Sequence, residues 1–190
     1  PELCLTTNGT HLTHYANALK DAGLDRTNIS LDSLNPALFK KLTRFGDVNQ
    51  VLAGIKAAQQ AGFSSIKLNC VALKHLNADE APDLVKFALN EGLDISFIEE
   101  MPLGRIDDHG RAAEFISSSE LREKINPHFE LTPINHSSGG PARYWKTTGY
   151  HSRIGFISPH SENFCSSCNR VRITATGAFR PVQCSNARAP

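Results

Sequence analysis

Hydrophobic and polar positions along the first hundred residues follow two alternating rhythms, and each change of rhythm marks an element. Leu3 to Thr7 is a short β-rich run ending on Asn8-Gly9, a turn pair. Helical spacing follows from about Thr10 to Ala22, closed by Gly23, and Asn28 to Asp32 alternates again as a second strand. Pro36 opens a short helix, because its fixed φ suits a first helical turn. Asp47 can cap a longer helix, whose Val48, Val51, Leu52, Ile55 and Ala58 share one face and which Gly62 ends. Ser65 to Leu73 is a third strand. Leu84, Phe87 and Ala88 mark the next helix, Gly92 follows it, and Asp94 to Glu99 is a fourth strand. This alternation implies parallel strands joined by right-handed crossovers. An open doubly wound sheet meets the same pattern, but no Gly-x-Gly-x-x-Gly turn follows any of these strands. The fold is therefore read as α/β, a partial parallel βα barrel of the incomplete TIM type.

Past Met101-Pro102-Leu103-Gly104 the rhythm breaks. Ser117-x-x-Glu120 is a capping-box pattern for a helix to about Ile125. Short β-like runs then cover Phe129–Pro133, Ala142–Thr147, Arg153–Ser158 and Val171–Ala175, with turns at Ser137-Ser138-Gly139-Gly140, Thr148-Gly149 and Thr176-Gly177. Two regions result: residues 1–104 as the barrel part, and 105–190 as a β-rich extension expected to lie across the barrel's mouth.

Composition narrows the partners. A formal charge of +1 over 190 residues leaves no large basic field, so a nucleic acid is not expected. No apolar run is long enough to span a bilayer and no signal peptide opens the chain, so no membrane partner is expected. Pro1-Glu2-Leu3-Cys4-Leu5 reads as the inside of a strand, and sequence upstream of it is expected. Five cysteines, three of them late (Cys165, Cys168, Cys184), suit a metal site in a reducing compartment better than a secreted disulfide framework. Cytoplasm is the inferred location.

The strongest local signal is Cys165-Ser-Ser-Cys168. Two thiolates at this spacing can share one metal centre, and Cys184 could return to it. Three thiolates on a [4Fe–4S] cluster leave one iron open to a ligand. A zinc ribbon completed by His160 or His151, and a redox pair, stand equal to the cluster on residues alone. Beside the cysteines, Arg170 and Arg172 fall on one face of a strand, where paired guanidinium groups suit phosphate or carboxylate. Two arginines alone read more readily as a solvent-facing strand side, and adjacency to a metal site shifts the balance. In the barrel half the strands carry polar groups toward their C-terminal ends, where barrel active sites form: Thr6, Thr7 and Asn8; Ser30 and Asp32; Lys67 and Asn69; Glu99, Glu100 and Met101. Singly each is more often a capped turn or a satisfied polar group. His11, His14, His75, His109, His128 and His136 show no metal spacing and are read as surface or loop residues. Cys4 and Cys70 read as small core hydrophobes, and Trp145 as packing.

Together these motifs resemble the MoaA family of radical S-adenosylmethionine (SAM) enzymes, the GTP 3′,8-cyclases of molybdenum cofactor biosynthesis. The stretches that carry the resemblance are Thr6-Thr-Asn-Gly9, Ile29-Ser-Leu-Asp32, Ile66-Lys-Leu-Asn69, Phe97-Ile-Glu-Glu-Met-Pro-Leu-Gly104, Gly140-Pro-Ala-Arg143, Ile154-Gly-Phe-Ile-Ser158 and Phe164-Cys-Ser-Ser-Cys-Asn-Arg170. They occur in family order over nearly the whole chain, which reads as the family's C-terminal two-thirds. The resemblance implies a radical rearrangement of GTP to a 3′,8-cyclised product, begun by reductive cleavage of SAM at an N-terminal [4Fe–4S] cluster. It implies that Thr6, Ser30 and Met101 contact SAM, that Lys67, Arg170 and Arg172 hold GTP, and that Cys165, Cys168 and Cys184 ligate a second, C-terminal [4Fe–4S] cluster.

The sequence departs from the family in four places. The Cys-x-x-x-Cys-x-x-Cys motif of the SAM-cleaving cluster does not occur in it, so the 190 residues alone are expected to be inactive. The family's last cysteine directly follows the Arg-Pro of Phe179-Arg-Pro181, whereas here Val182 does and the cysteine is Cys184. Ser185 to Pro190 does not match the family's glycine-rich tail, and Ser96 stands where the family often has arginine. The alternative from another class is a non-catalytic metal-ribbon or nucleotide-binding module on a partial barrel. Oligomeric state is left open, a homodimer among the options.

Overall fold

A computed structural model describes residues 2–101, 111–136, 140–162 and 171–181. The elements run β1 (Cys4–Thr7), α1 (Leu12–Asp21), β2 (Arg26–Ser30), α2 (Pro36–Thr43), α3 (Val48–Gln60), β3 (Ile66–Ala72), α4 (Ala81–Asn90) and β4 (Asp94–Glu99). After these come α5 (Arg111–Glu114), α6 (Ser118–Ile125), β5 (Thr132–Ile134), β6 (Arg143–Lys146), β7 (Ile154–Ile157), β8 (Val171–Ile173) and β9 (Phe179–Pro181). Three of the helices, α2, α3 and α6, start where short polar side chains accept from free amides. Asn35 takes the amides of Ala37 and Leu38, Asp47 takes that of Asn49, and Ser117 with Glu120 forms the reciprocal capping box. Gly23, Gly62 and Gly92 follow α1, α3 and α4 with positive φ, as a left-handed exit requires.

Seven strands form one sheet in the order β1-β2-β3-β4-β7-β6-β5. β1, β2, β3, β4 and β7 are parallel neighbours, and β6 and β5 continue the sheet antiparallel. The parallel βα half is the incomplete barrel that the alternation predicts. The second half differs from expectation in one respect: β7, β6 and β5 do not lie across the mouth but extend the same sheet beyond β4. β8 and β9 form a separate antiparallel hairpin.

Strand residues alternate between two environments. Ile29, Leu31, Ile66, Leu68, Cys70, Ile95, Phe97, Ile154 and Phe156 are buried in a single core with Leu12, Phe39, Val51, Ile55, Leu84 and Val85 from the helices. The intervening positions are mostly half-buried and mostly polar. One close approach holds the first turn of the sheet against α3. A Cβ added to Gly54 would lie 2.2 Å from the Gly9 carbonyl oxygen and 3.3 Å from Leu12 Cβ. Backbone cannot retreat as a flexible side chain does, so Gly54→Ala is expected to destabilise by about 1–3 kcal/mol. Chemical denaturation checks this, and an unchanged midpoint would mean that α3 slides freely past the loop.

Candidate functional site

The half-buried face of the sheet carries the polar residues in register. Thr6 pairs with Asn28, Asn28 with Lys67, and Lys67 with Asp94, giving one row across four strands. The next row runs Ser30, Asn69, Ser96, Gly155, Tyr144. Asn28 Nδ2 donates to Thr6 Oγ1 at 3.3 Å and to Cys4 Sγ at 3.4 Å. Its Oδ1, Asn69 Oδ1 and Ser96 Oγ are buried and have no hydrogen-bond partner among the described residues. Unmet polar atoms cost about 1–3 kcal/mol each, so three on one face favour a ligand or water there. Gly155 makes the room for this row. A Cβ on it would meet Ser96 Oγ at 2.6 Å and the Tyr144 ring at 3.0 Å.

Of the residues expected to contact SAM or GTP, Thr6, Ser30 and Lys67 are thus brought onto one face, within two adjacent rows. Met101 is half-buried and follows β4. Arg172 pairs with Arg180 in the β8–β9 hairpin; its side chain, like Arg170, lies outside the described residues. Cys165, Cys168 and Cys184 also lie outside them. Their donor set, three thiolates with two in a Cys-x-x-Cys turn, suits an iron–sulfur cluster chemically. Among the described residues no group of three or more His, Cys, Asp or Glu could hold a metal ion.

Three polar residues at the strand ends do other work. Asp32 lies just past β2, and its Oδ1 accepts the Val71 amide at 2.8 Å. Burial pushes its carboxyl up, and the Val71 amide partly offsets this. Asn77 Nδ2 donates to the Asp32 and Val71 carbonyls at 2.8 and 2.9 Å, so the ends of β2 and β3 are locked together. Glu99 falls on the helix side of β4 and not in the polar rows. It is 2% exposed, and it accepts the amides of Ser118 (2.8 Å), Ser161 (3.0 Å) and His160 (3.1 Å) together with the Ser161 hydroxyl. Burial pushes this carboxyl up, but the combined donation from Ser161, Ser118 and His160 prevails and holds it below the ordinary carboxylate range. Ser158 Oγ donates to Ser118 Oγ at 2.7 Å beside it. One carboxylate thereby ties β4 both to the start of α6 and to the loop after β7.

The described histidines of that reading are surface or loop residues, and one of them is also packed. His11, His14, His75 and His128 are exposed, whereas His136 is half-buried, takes an N–H of Arg153 and lies edge-on to Tyr144 at 5.1 Å. His109 lies outside the described residues. Cys70 is a buried core residue whose thiol is pushed well up by burial and by the Asp32 and Glu80 charges, as suits an inert side chain. Cys4 is half-buried on the polar face rather than in the core. Trp145 packs edge-on to Phe156 at 5.0 Å under the Arg122 guanidinium.

Residues 1–88 match the Radical SAM superfamily, and residues 93–186 match the family described as Molybdenum Cofactor Synthesis C. Over 176 residues the chain is 60% identical to the GTP 3′,8-cyclase of Saccharophagus degradans, an overlap of 93% of this chain and 53% of that protein. Over 177 residues it is 58% identical to the GTP 3′,8-cyclase of Pseudomonas putida strain W619 and 54% identical to that of Pseudomonas syringae pv. syringae, with the same coverage. The chain belongs to the MoaA family. It spans about half the length of the curated relatives it matches. The two matched regions meet in one sheet here, since β3 of the first pairs with β4 of the second. No helix among the described residues is long and apolar enough to cross a membrane.

Proposed function

We propose that this chain supplies the substrate-holding part of a GTP 3′,8-cyclase, the activity carried in the names of its MoaA relatives. The observation that supports this reading is the polar face. Two amide carbonyls and a hydroxyl, without partners among the described residues, lie in the Lys67 row and the row beside it, on strands that bring Thr6 and Ser30 to the same surface. Carbonyl acceptors complement the N–H groups of a guanine or the ammonium of a methionine moiety, and an ammonium complements phosphate. In this reading Thr6, Ser30 and Met101 contact SAM. Lys67, Arg170 and Arg172 hold GTP, and Cys165, Cys168 and Cys184 would ligate a [4Fe–4S] cluster, which with three thiolates would keep one iron open to a ligand. SAM with its reducing cluster, when bound, supplies the radical that starts the rearrangement. The residues of this chain bind, orient and keep water away from the reacting ribose. Thiolate ligation of this kind suits a reducing compartment, and the reading therefore takes the cytoplasm as the location.

The reading is tested on the anaerobically reconstituted chain. GTP is expected to bind weakly, without 5′-deoxyadenosine above the no-protein control when SAM and a strong reductant are added. A charge-assisted contact contributes about 1.5–3 kcal/mol, so Lys67→Ala is expected to weaken GTP binding by about tenfold or more. Equal GTP affinity in the parent and Lys67→Ala chains would overturn the assignment. Zinc in place of iron after reconstitution would favour the metal-ribbon alternative.

A further inference from the structure

The polar rows run across one face of the sheet, and the first of them ends on Asp94. A cavity of about 490 Å³ opens at the end of the sheet where the parallel strands begin. Ser65 precedes β3, Asp94 opens β4, Arg153 precedes β7 and Lys146 closes β6; His136 and His151 complete its polar wall. We propose that this cavity is a binding site for a small oxyanion of the phosphate class, either inorganic phosphate or a phosphomonoester.

Charge is the first argument. Asp94 is the one carboxylate in the lining, and it is fully engaged. Its Oδ1 accepts the Arg153 amide at 2.7 Å, while its Oδ2 accepts Arg153 Nε at 2.9 Å and Nη2 at 2.5 Å. The remaining terminal nitrogen of Arg153, Nη1, donates to His136 Nε2. Asp94 thus balances Arg153 and no other cation. Lys146 and His151 are exposed, and neither has an ion-pair partner among the described residues.

Rigidity is the second argument. The buried Tyr144 ring lies 5.7 Å from the Arg153 guanidinium and edge-on to His136, so the wall behind Lys146 and His151 is held in place. In front of that wall stand the Lys146 ammonium, the His151 ring and serine hydroxyls, groups that can turn donors toward an oxyanion. The volume lies within the range of about 300–1,000 Å³ usual for small-ligand sites. Lys67 does not line this cavity, and the proposal does not depend on the GTP reading.

The test uses the full chain and orthophosphate, with chloride at matched ionic strength as control. Phosphate, and not chloride, is expected to raise the thermal midpoint of the parent and to give a saturable calorimetric titration. The double variant Lys146→Ala/His151→Ala replaces exposed side chains, so it should keep the parent's circular dichroism while binding phosphate at least tenfold more weakly. Lys146→Arg should retain binding. Lys67→Ala and Arg172→Ala, which remove proposed GTP contacts, should leave the phosphate response intact. A response that survives in the double variant, one that is lost in Lys67→Ala or Arg172→Ala instead, or no response in the parent would each overturn the proposal.

Discussion

Replacing Glu99 with alanine is expected to lower the unfolding free energy by at least about 3 kcal/mol, because three amides and a hydroxyl lose their acceptor together. In a chain of this size that corresponds to a fall of roughly 6–12 °C in thermal midpoint. Glu99→Gln keeps the shape and one carbonyl acceptor, so its loss should be smaller. The two variants also separate packing from charge. Glu99 binds its proton less readily in the folded chain than in the unfolded one. Its ionised form therefore contributes stability at neutral pH, and that contribution is lost as the pH falls through its depressed folded value. Asp32 acts in the opposite sense: burial makes its folded form hold the proton more tightly, so its ionisation opposes folding as the pH rises. Subtracting the Glu99→Gln stability profile from the parent's cancels Asp32. The difference should be flat near neutrality and shrink in acid. A midpoint for Glu99→Ala within 2 °C of the parent would show that solvent replaces the carboxylate without cost.

The second large effect is expected at the cysteines. After anaerobic reconstitution the parent should hold iron and sulfide in near-equal amounts, with little zinc. Cys165→Ala and Cys168→Ala should each reduce iron to the level of a protein without a site. Two thiolates three positions apart in sequence can act as a chelate, and losing either leaves a cluster with too few protein ligands to persist. Cys184→Ala tests the third ligand, two positions later than the family places it. Full iron content in Cys165→Ala would refute the assignment for the whole trio.

Much of this architecture is written in local chemistry. Asn35, Asp47 and the Ser117–Glu120 pair cap helices through bonds to amides two or three residues away, so their patterns can be read directly. Strands whose alternate positions meet a core announce themselves by period, as Ile66, Leu68 and Cys70 do. What escaped that reading depends on partners far along the chain. β2 begins at Arg26, two residues earlier than its apolar pattern suggests, because Arg26 and Thr27 gain strand geometry by pairing with β1 and β3. β7 looked like part of an added β region, since four apolar-leaning residues do not state which neighbour they pair with. Glu99 was seen as a mouth residue because its donors are mostly backbone amides, which no side-chain motif reveals. His136 has no metal spacing, and its contact with Arg153 exists only once β6 and β7 are side by side. Thr6, Ser30 and Lys67 are singled out by family likeness, and the register brings them onto one face.

The pairing of β4 with β7 also bears on how the chain can vary in length. β1 to β4 are stitched to neighbours that follow them closely, whereas β7 is recruited across the long interval that contains α6, β5 and β6. The entropy of closing such a loop grows only logarithmically, by about 0.6 kcal/mol for each doubling. Extra residues between Glu99 and the Ser117 cap therefore tax the fold far less than one added inside β3 or β4, which would turn every later side chain onto the opposite face. The interval is a place where sequence length can drift while the polar rows and the carboxylate junction stay where they are.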